Sequence, residues 1–208
     1  MISFHHTDLF NSDAEALVNT VNTMGVMGKG VALQFKRRFP LNFEKYRKAC
    51  AEGHVKLGKM FVTETGLLTG PRLIVNFPTK SDWRIRSSIR DVENGLDDLL
   101  SVIRDYNIKS IALPPLGCGN GGLDWQQVKP LIFSKLGTLS GSVQISVFEP
   151  VERTAAEAPP VLSRHQAMLL SLAQRYAALG FDLSQLEFQK LAYLLQESGQ
   201  RDLKLHFL

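Results

Sequence analysis

The sequence predicts an α/β fold of three layers (α/β/α), with helices on both faces of a mixed central sheet and a small helical segment after it. Three observations predict it. Short apolar runs that read as strands alternate along the chain with amphipathic stretches that read as helices. One helical stretch carries a full apolar face, with Ile89, Val92, Leu96, Leu99, Leu100 and Ile103 recurring every three or four residues. The pattern then breaks at PVERTAAEAPPV, which has no periodicity and reads as a linker. The expected organisation is a main domain over 1–150, a linker over 151–161 and an incomplete helical region over 162–208.

Taken in order, ISFHH (2–6) opens as a strand and ALVNTVN (16–22) follows as a second. GVALQFKRRF (30–39) and LNFEKYRKACAEG (41–53) read as helices. MFVTET (60–65) and RLIVNF (72–77) read as strands, the latter stopped by Pro78 so that Thr79 and Lys80 open a loop. The striped helix covers 87–106, and SIALPPL (110–116) is the next strand. DWQQVKPLIFSKL (124–136) is a helix, with Asp124 and Gln127 spaced as a capping box, and VQISVFE (143–149) closes the sheet. Alternation of this kind places ligands beyond the carboxyl ends of the strands, where loops lead into helices. Past the linker, 162–180 and 183–199 are amphipathic helices ending at Gly180 and Gly199, and LKLHFL (203–208) reads as a strand without a partner.

Composition narrows the function classes. A chain of 208 residues with a formal net charge of +4 tolerates polyanionic partners without requiring them. Two cysteines, Cys50 and Cys118, exclude a disulfide framework and have no metal-site spacing. No apolar run reaches membrane length and MISFHHTDLF has no leader pattern, so a soluble cytoplasmic protein without membrane contact is expected.

Two loops hold an unusual share of the glycines: NTMGVMGKGVALQF, with Gly25, Gly28 and Gly30, and PPLGCGNGGLDW, with Gly117, Gly119, Gly121 and Gly122. Each lies between a predicted strand and a predicted helix. Amides in such loops converge on anions, and the helix start behind adds its positive end. A single loop of this kind is as readily a tight turn; the pair suits a diphosphate. Neither matches a Walker loop, because Gly28-Lys29 is followed by Gly30.

With TDLF (7–10), ALVNTVN, GKGVALQFKRRFP and LPPLGCGNGGLDW in this order, residues 1 to about 150 resemble the macrodomain, an ADP-ribose-binding fold. GKGVALQFK and the lysine after the fourth strand resemble the branch that removes ADP-ribose from terminal sites. Within that branch they resemble antitoxins that reverse ADP-ribosylation of thymidine in single-stranded DNA. The linker and FQKLAYLLQESG resemble the start of the toxin-binding region of those antitoxins. The resemblance implies an ADP-ribosylated DNA substrate, ADP-ribose as product, an ADP-ribosyltransferase toxin as partner, no cofactor and no metal. A monomer is the expected state.

The resemblance also implies a ligand set. Asp8 would accept the adenine amino group beside Leu9, although an aspartate there is equally a turn or cap residue. Gly28, Gly30, Val31 and Ala32 would lie along the diphosphate and near the ribose, and Thr20 and Thr79 belong to the same ADP-ribose-binding set. Gly117, Cys118, Gly119, Asn120 and Gly121 would line the other side of the same phosphates, with Cys118 a small neutral residue rather than a nucleophile. Asn22 would orient the distal ribose, or else hold the turn that follows it. Lys80 is implied as the catalytic group, either as a neutral amine attacking the sugar or as an ammonium assisting departure of the base. Protein-directed relatives of this branch place an aspartate shortly after GCG. Here that position falls on Gly121, so a lysine–aspartate pair is not expected, and Asp124 reads as a helix cap. Trp83, Arg84 and Arg86, near Arg90 and the Lys36-Arg37-Arg38 run, would contact DNA through stacking and charge, or form an ordinary solvated face.

Overall fold

The computed structural model describes residues 1–139, 141–150, 163–178 and 183–198. The chain forms two compact units, Met1–Glu152 and Arg153–Leu208. In the first, β1 (Ile2–His5), β2 (Ala16–Asn22), β3 (Phe61–Glu64), β4 (Leu73–Lys80), β5 (Ser110–Leu113) and β6 (Gln144–Phe148) form one sheet in the order β1-β6-β5-β2-β4-β3. All neighbouring pairs are parallel except β3 with β4. The carboxyl ends of five strands therefore share one edge.

The central strands β2 and β4 are buried on both faces, so they read as nearly continuous apolar runs whose alternate residues serve different layers. Val18, Val75, Phe77 and Leu113 face α3 (Ile89–Asp105) and α4 (Trp125–Leu136), where Val92, Leu96, Leu99, Val128 and Ile132 are fully buried. Leu17, Ile74 and Ala112 face the other way, toward Phe35 of α1 (Gly30–Arg38). Val21 and Met27 pack against Tyr46 and Ala49 of α2 (Pro40–Ala51). Close approach of α3 to the sheet depends on Gly95, where a Cβ would stand 2.3 Å from the Phe77 ring. Ile89, expected on the apolar face of this helix, is instead 37 % exposed at its first turn.

The strand expected to stop at Phe77 continues through Pro78 to Lys80. β3 pairs only with Leu73–Asn76, so Pro78 has a strand neighbour on one side alone, where a missing N–H is tolerated. Lys80 is thus the last residue of β4, not a loop residue, and a register shift between Val21 and Asn22 brings it opposite Asn22. β5 stops at Leu113, ahead of Pro114 and Pro115.

In the second unit, α5 (Arg164–Ala178) and α6 (Gln185–Glu197) are described. Ser184 and Glu187 close a full capping box on α6, and the Tyr176 hydroxyl donates to Glu187 Oε1 at 3.2 Å. The expected linker, the glycine ends at Gly180 and Gly199, and the strand over 203–208 lie outside the described residues.

Candidate active site

β2 and β5 each lead into a glycine-rich loop, and the two loops meet. Gly30 adopts a φ of +60°, which favours glycine, and a Cβ there would stand 3.0 Å from Asn120 Nδ2 of the other loop. Behind the first loop, α1 has no side-chain cap, and the first of its amides to bond is that of Leu33, to Lys29 O at 3.3 Å. In the second loop four carbonyls are taken. Lys80 Nζ donates to Asn120 O at 2.8 Å, and Ser87 N donates to Gly121 O at 2.9 Å. Gly122 N and Leu123 N close the turn onto Gly119 O and Gly117 O. The amides of Gly119, Asn120 and Gly121 donate to no acceptor among the described residues. Open amides from a loop and from a bare helix start, side by side, make a concavity suited to a phosphate group.

Gly121 is required by space, not by dihedral. A Cβ there would lie 2.3 Å from Gly117 O and 2.4 Å from the buried Ser87 Oγ, which has no hydrogen-bond partner among the described residues. No side chain fits, and so no aspartate. Asp124 caps α4, its Oδ1 accepting from Gln126 N at 2.9 Å. Cys118 is half-buried and its Sγ–H donates to Leu116 O at 3.4 Å. Burial, and then the negative charge of Asp124, push its thiol up to about 11, which keeps it neutral.

Lys80 is 9 % exposed. Besides Asn120 O, its Nζ donates to Ile85 O at 3.2 Å, which ties the segment after β4 to the glycine loop. Burial holds the ammonium below the ordinary lysine value, and the charge of Asp82 works the other way. The third position on the nitrogen has no protein partner among the described residues.

Asn22, opposite Lys80, uses its carboxamide on the loop that follows it. Its Oδ1 accepts from Met24 N at 2.9 Å and Val26 N at 3.3 Å, and its Nδ2 donates to Val26 O at 2.6 Å. Of the two readings of this residue, the turn-holding one is formed here, with Tyr46 Oη donating to Asn22 O at 2.5 Å beneath it. Thr79 is buried, its hydroxyl 3.5 Å from Val21 O, and Thr20 is half-buried within β2. Val31 and Ala32 lie half-buried in the first turn of α1, and Gly28 is exposed just before it.

Asp8 sits after β1, four strands from Lys80 along the shared edge, roughly 19 Å at the usual strand spacing. It caps the 3-10 turn Leu9–Asn11, its Oδ1 accepting from Phe10 N at 3.1 Å. Its Oδ2 lies 3.8 Å from Arg38, whose guanidinium stacks on Phe10 at 3.9 Å. The Leu9 side chain is core, which leaves only its backbone to a ligand. Trp83, Arg84 and Arg86 are exposed beyond Lys80, with the Arg84 guanidinium 5.2 Å from the Trp83 ring centre and paired with Asp82 at 3.3 Å. Reading the sequence missed Ser87, Ile85 and Tyr46, whose parts in the site depend on contacts distant in the chain.

A sequence profile of the Macro domain matches residues 18–132. A DNA ADP-ribosyl glycohydrolase of Thermus aquaticus is 52 % identical over 213 residues, covering 100 % of this chain. The chain spans about three fifths of the length of such relatives, 59 % for that protein and 62 % for its Mycobacterium tuberculosis counterpart. Among solved structures, the macrodomain of Mycobacterium tuberculosis DarG superposes with a TM-score of 0.71 at 53 % identity, covering 72 % of this chain and 98 % of that one. Thermosipho africanus DarTG in complex with ADP-ribose superposes with a TM-score of 0.67 at 32 % identity, covering 73 % of this chain and 42 % of that one. A mixed six-stranded sheet between helices, glycine loops joined at its carboxyl edge and these matches lead to one conclusion: the chain belongs to the macrodomain family.

Proposed function

We propose that this protein is a hydrolase that removes ADP-ribose from thymidine bases of single-stranded DNA, acting as antitoxin to a DNA ADP-ribosyltransferase. The observation that carries the reading is Lys80, a buried lysine at the end of β4, fastened between the two segments that frame the cleft. A module that only binds ADP-ribose has no need of a desolvated amine there. Support for the substrate class comes from relatives named DNA ADP-ribosyl glycohydrolase and from a fusion in Thermosipho africanus that joins such a glycohydrolase to a DNA ADP-ribosyl transferase. In this reading the adenine end lies by Asp8, the diphosphate on the amides of 30–32 and 119–121, and the distal ribose between Asn22 and Lys80. No cofactor takes part. The closure of Gly121 to any side chain counts against a hydrolase of protein carboxylates that relies on an aspartate at this place.

Lys80 serves the reaction by one of two routes. As a neutral amine it attacks the anomeric carbon, the bond to the base nitrogen breaks toward the base, and water then frees the sugar. As an ammonium it gives its proton to the departing base nitrogen while water attacks. The routes have opposite pH profiles: kcat rises with pH through the Lys80 pKa for the amine and falls through it for the ammonium. The protein works as a cytoplasmic monomer in this reading, and residues 162–208 begin the surface that meets the toxin.

The test is release of ADP-ribose from a thymidine-modified single-stranded oligonucleotide by the wild type and by Lys80→Arg. Arginine keeps N–H donors for the two carbonyls but has neither a neutral form nor a readily lost proton. Release by the wild type and none by Lys80→Arg, with ADP-ribose still bound, is the expected result. Tight ADP-ribose binding without release by the wild type would leave a reader of ADP-ribose instead.

A further inference from the structure

We infer that the segments after β2 and β4 form a two-sided clamp for the base attached to the reacting ribose, with Met24 and Val26 as one wall and Trp83 and Ile85 as the other. The inference rests on the hydrolase reading and extends it to recognition of the leaving group.

Both segments start side by side, because Asn22 and Lys80 are paired at the strand ends. They stay together one residue further on, where Thr23 N and Thr23 Oγ1 both donate to Ser81 O, at 3.3 and 2.9 Å. Each is then turned by its own polar side chain. Asn22 Oδ1 gathers the amides of Met24 and Val26, and Asp82 Oδ1 accepts from Arg84 N at 2.8 Å while Ile85 N donates to Asp82 O at 3.3 Å. The amides of Met24, Val26, Arg84 and Ile85 are thereby used internally, and alongside the charged Arg84 and Arg86 both segments leave apolar side chains outward. Met24 is 56 % exposed, Val26 38 %, Trp83 42 % and Ile85 48 %. Turns closed by their own hydrogen bonds that leave large apolar side chains exposed after two adjacent strand ends, one of them ending in Lys80, present surface that water disfavours and a ligand can cover.

The occupant is a nucleobase, on grounds of shape and charge. A base is planar and uncharged, with two faces that stack on an indole or a thioether. A modified acidic side chain has no such faces to cover. Beyond the aromatic wall stand exposed Arg84 and Arg86, placed to meet the phosphates on either side of a base in a single strand. Ile85 also supplies a carbonyl that holds Lys80, so this wall is tied directly to the reacting group. On this basis the loop after β2 selects the aglycone, and its two exposed apolar residues determine specificity.

The test compares Met24→Ser and Trp83→Ala with the wild type in two measurements: binding of a thymidine-ADP-ribosylated oligonucleotide, made in the non-releasing Lys80→Arg background, and binding of free ADP-ribose. Either substitution is expected to raise the dissociation constant for the oligonucleotide about tenfold or more, the weight of one lost stacking surface. Free ADP-ribose, which has no base beyond its distal ribose, should bind within twofold of the parent. Unchanged oligonucleotide binding by Met24→Ser overturns the clamp, as does an equal loss for both ligands, which marks a loop that has merely collapsed. The readout is separate from turnover. If the wild type releases nothing, the hydrolase reading fails, while tighter binding of the modified oligonucleotide than of ADP-ribose, erased by Met24→Ser, still sustains the clamp.

Discussion

Replacing Gly121 by alanine tests how the phosphate loop is held. A methyl group at this position would stand 2.3 Å from Gly117 O, about 1 Å inside an ordinary carbon–oxygen contact, and 2.4 Å from Ser87 Oγ. Both neighbours are fixed, the first as backbone and the second as a buried side chain, so the loop must shift as a whole. Overpacking of this size costs about 1–3 kcal/mol. The bond from Ser87 N to Gly121 O at 2.9 Å goes with it, for about 1 kcal/mol more. The sum is about 2–4 kcal/mol, or roughly 5–12 °C in the unfolding midpoint of a domain of this size. Affinity changes too, because the amides of 119–121 lose their aim. One lost charge-assisted hydrogen bond is worth about 1.5–3 kcal/mol, which is roughly tenfold to a hundredfold in the dissociation constant for ADP-ribose. Titration calorimetry and thermal unfolding measure both. Gly119→Ala is the control, since its added Cβ meets nothing within 4 Å and its φ is not left-handed, so stability should stay at the wild-type level. Wild-type stability together with wild-type affinity in Gly121→Ala would refute the packing described for this loop.

Three further outcomes are expected. Tyr46→Phe removes the donor to the buried Asn22 carbonyl and should lower stability by about 1–3 kcal/mol in urea unfolding. Cys118 should alkylate slowly: a thiol raised to about 11 holds a thiolate fraction on the order of 0.001 at pH 8, so labelling should climb about tenfold per pH unit until it levels near that value, as peptide mass spectrometry would show. Fast labelling at pH 8 would contradict the burial of this sulfur. Asp124→Ala should cost about 1 kcal/mol through the α4 cap and leave the turnover rate near wild type, consistent with a carboxylate occupied by its own helix.

Much of this architecture is legible in the chain because its signals are local. β2 is readable end to end since consecutive residues serve opposite layers and nearly all are buried. The face of α3 is readable from spacing, except at Ile89, the first residue of the helix, which stays exposed. The end of β4 is not readable. Pro78 signals a stop, and only the shortness of β3, paired no further than Asn76, makes a proline acceptable inside the strand. In the site, the two glycine loops announce an anion cradle, but their contact at Gly30 and Asn120 is a fact of the sheet order. The two readings of Asn22 could not be separated by residue type, because a carboxamide can serve a sugar or its own turn equally well; the three bonds to residues 24–26 reveal the second use. Ser87 gave no signal at all, since its importance lies in a volume that Gly121 leaves empty.

The double tether of Lys80 changes how a substrate-trapping variant should be built. One nitrogen fastens Ile85 on one side and Asn120 on the other, so truncating this side chain to alanine removes a reactant and releases two pieces of main chain together. A loss of turnover in such a variant would mix missing chemistry with a slackened cleft, and any complex captured with it would be looser than the one that reacts. Neutralising modifications of the same amine, such as acylation or carbamylation, would have the same compound effect. A faithful trap needs a long, hydrogen-donating side chain that cannot shed its proton. That requirement favours arginine at this position over the shorter residues customarily chosen to silence a lysine.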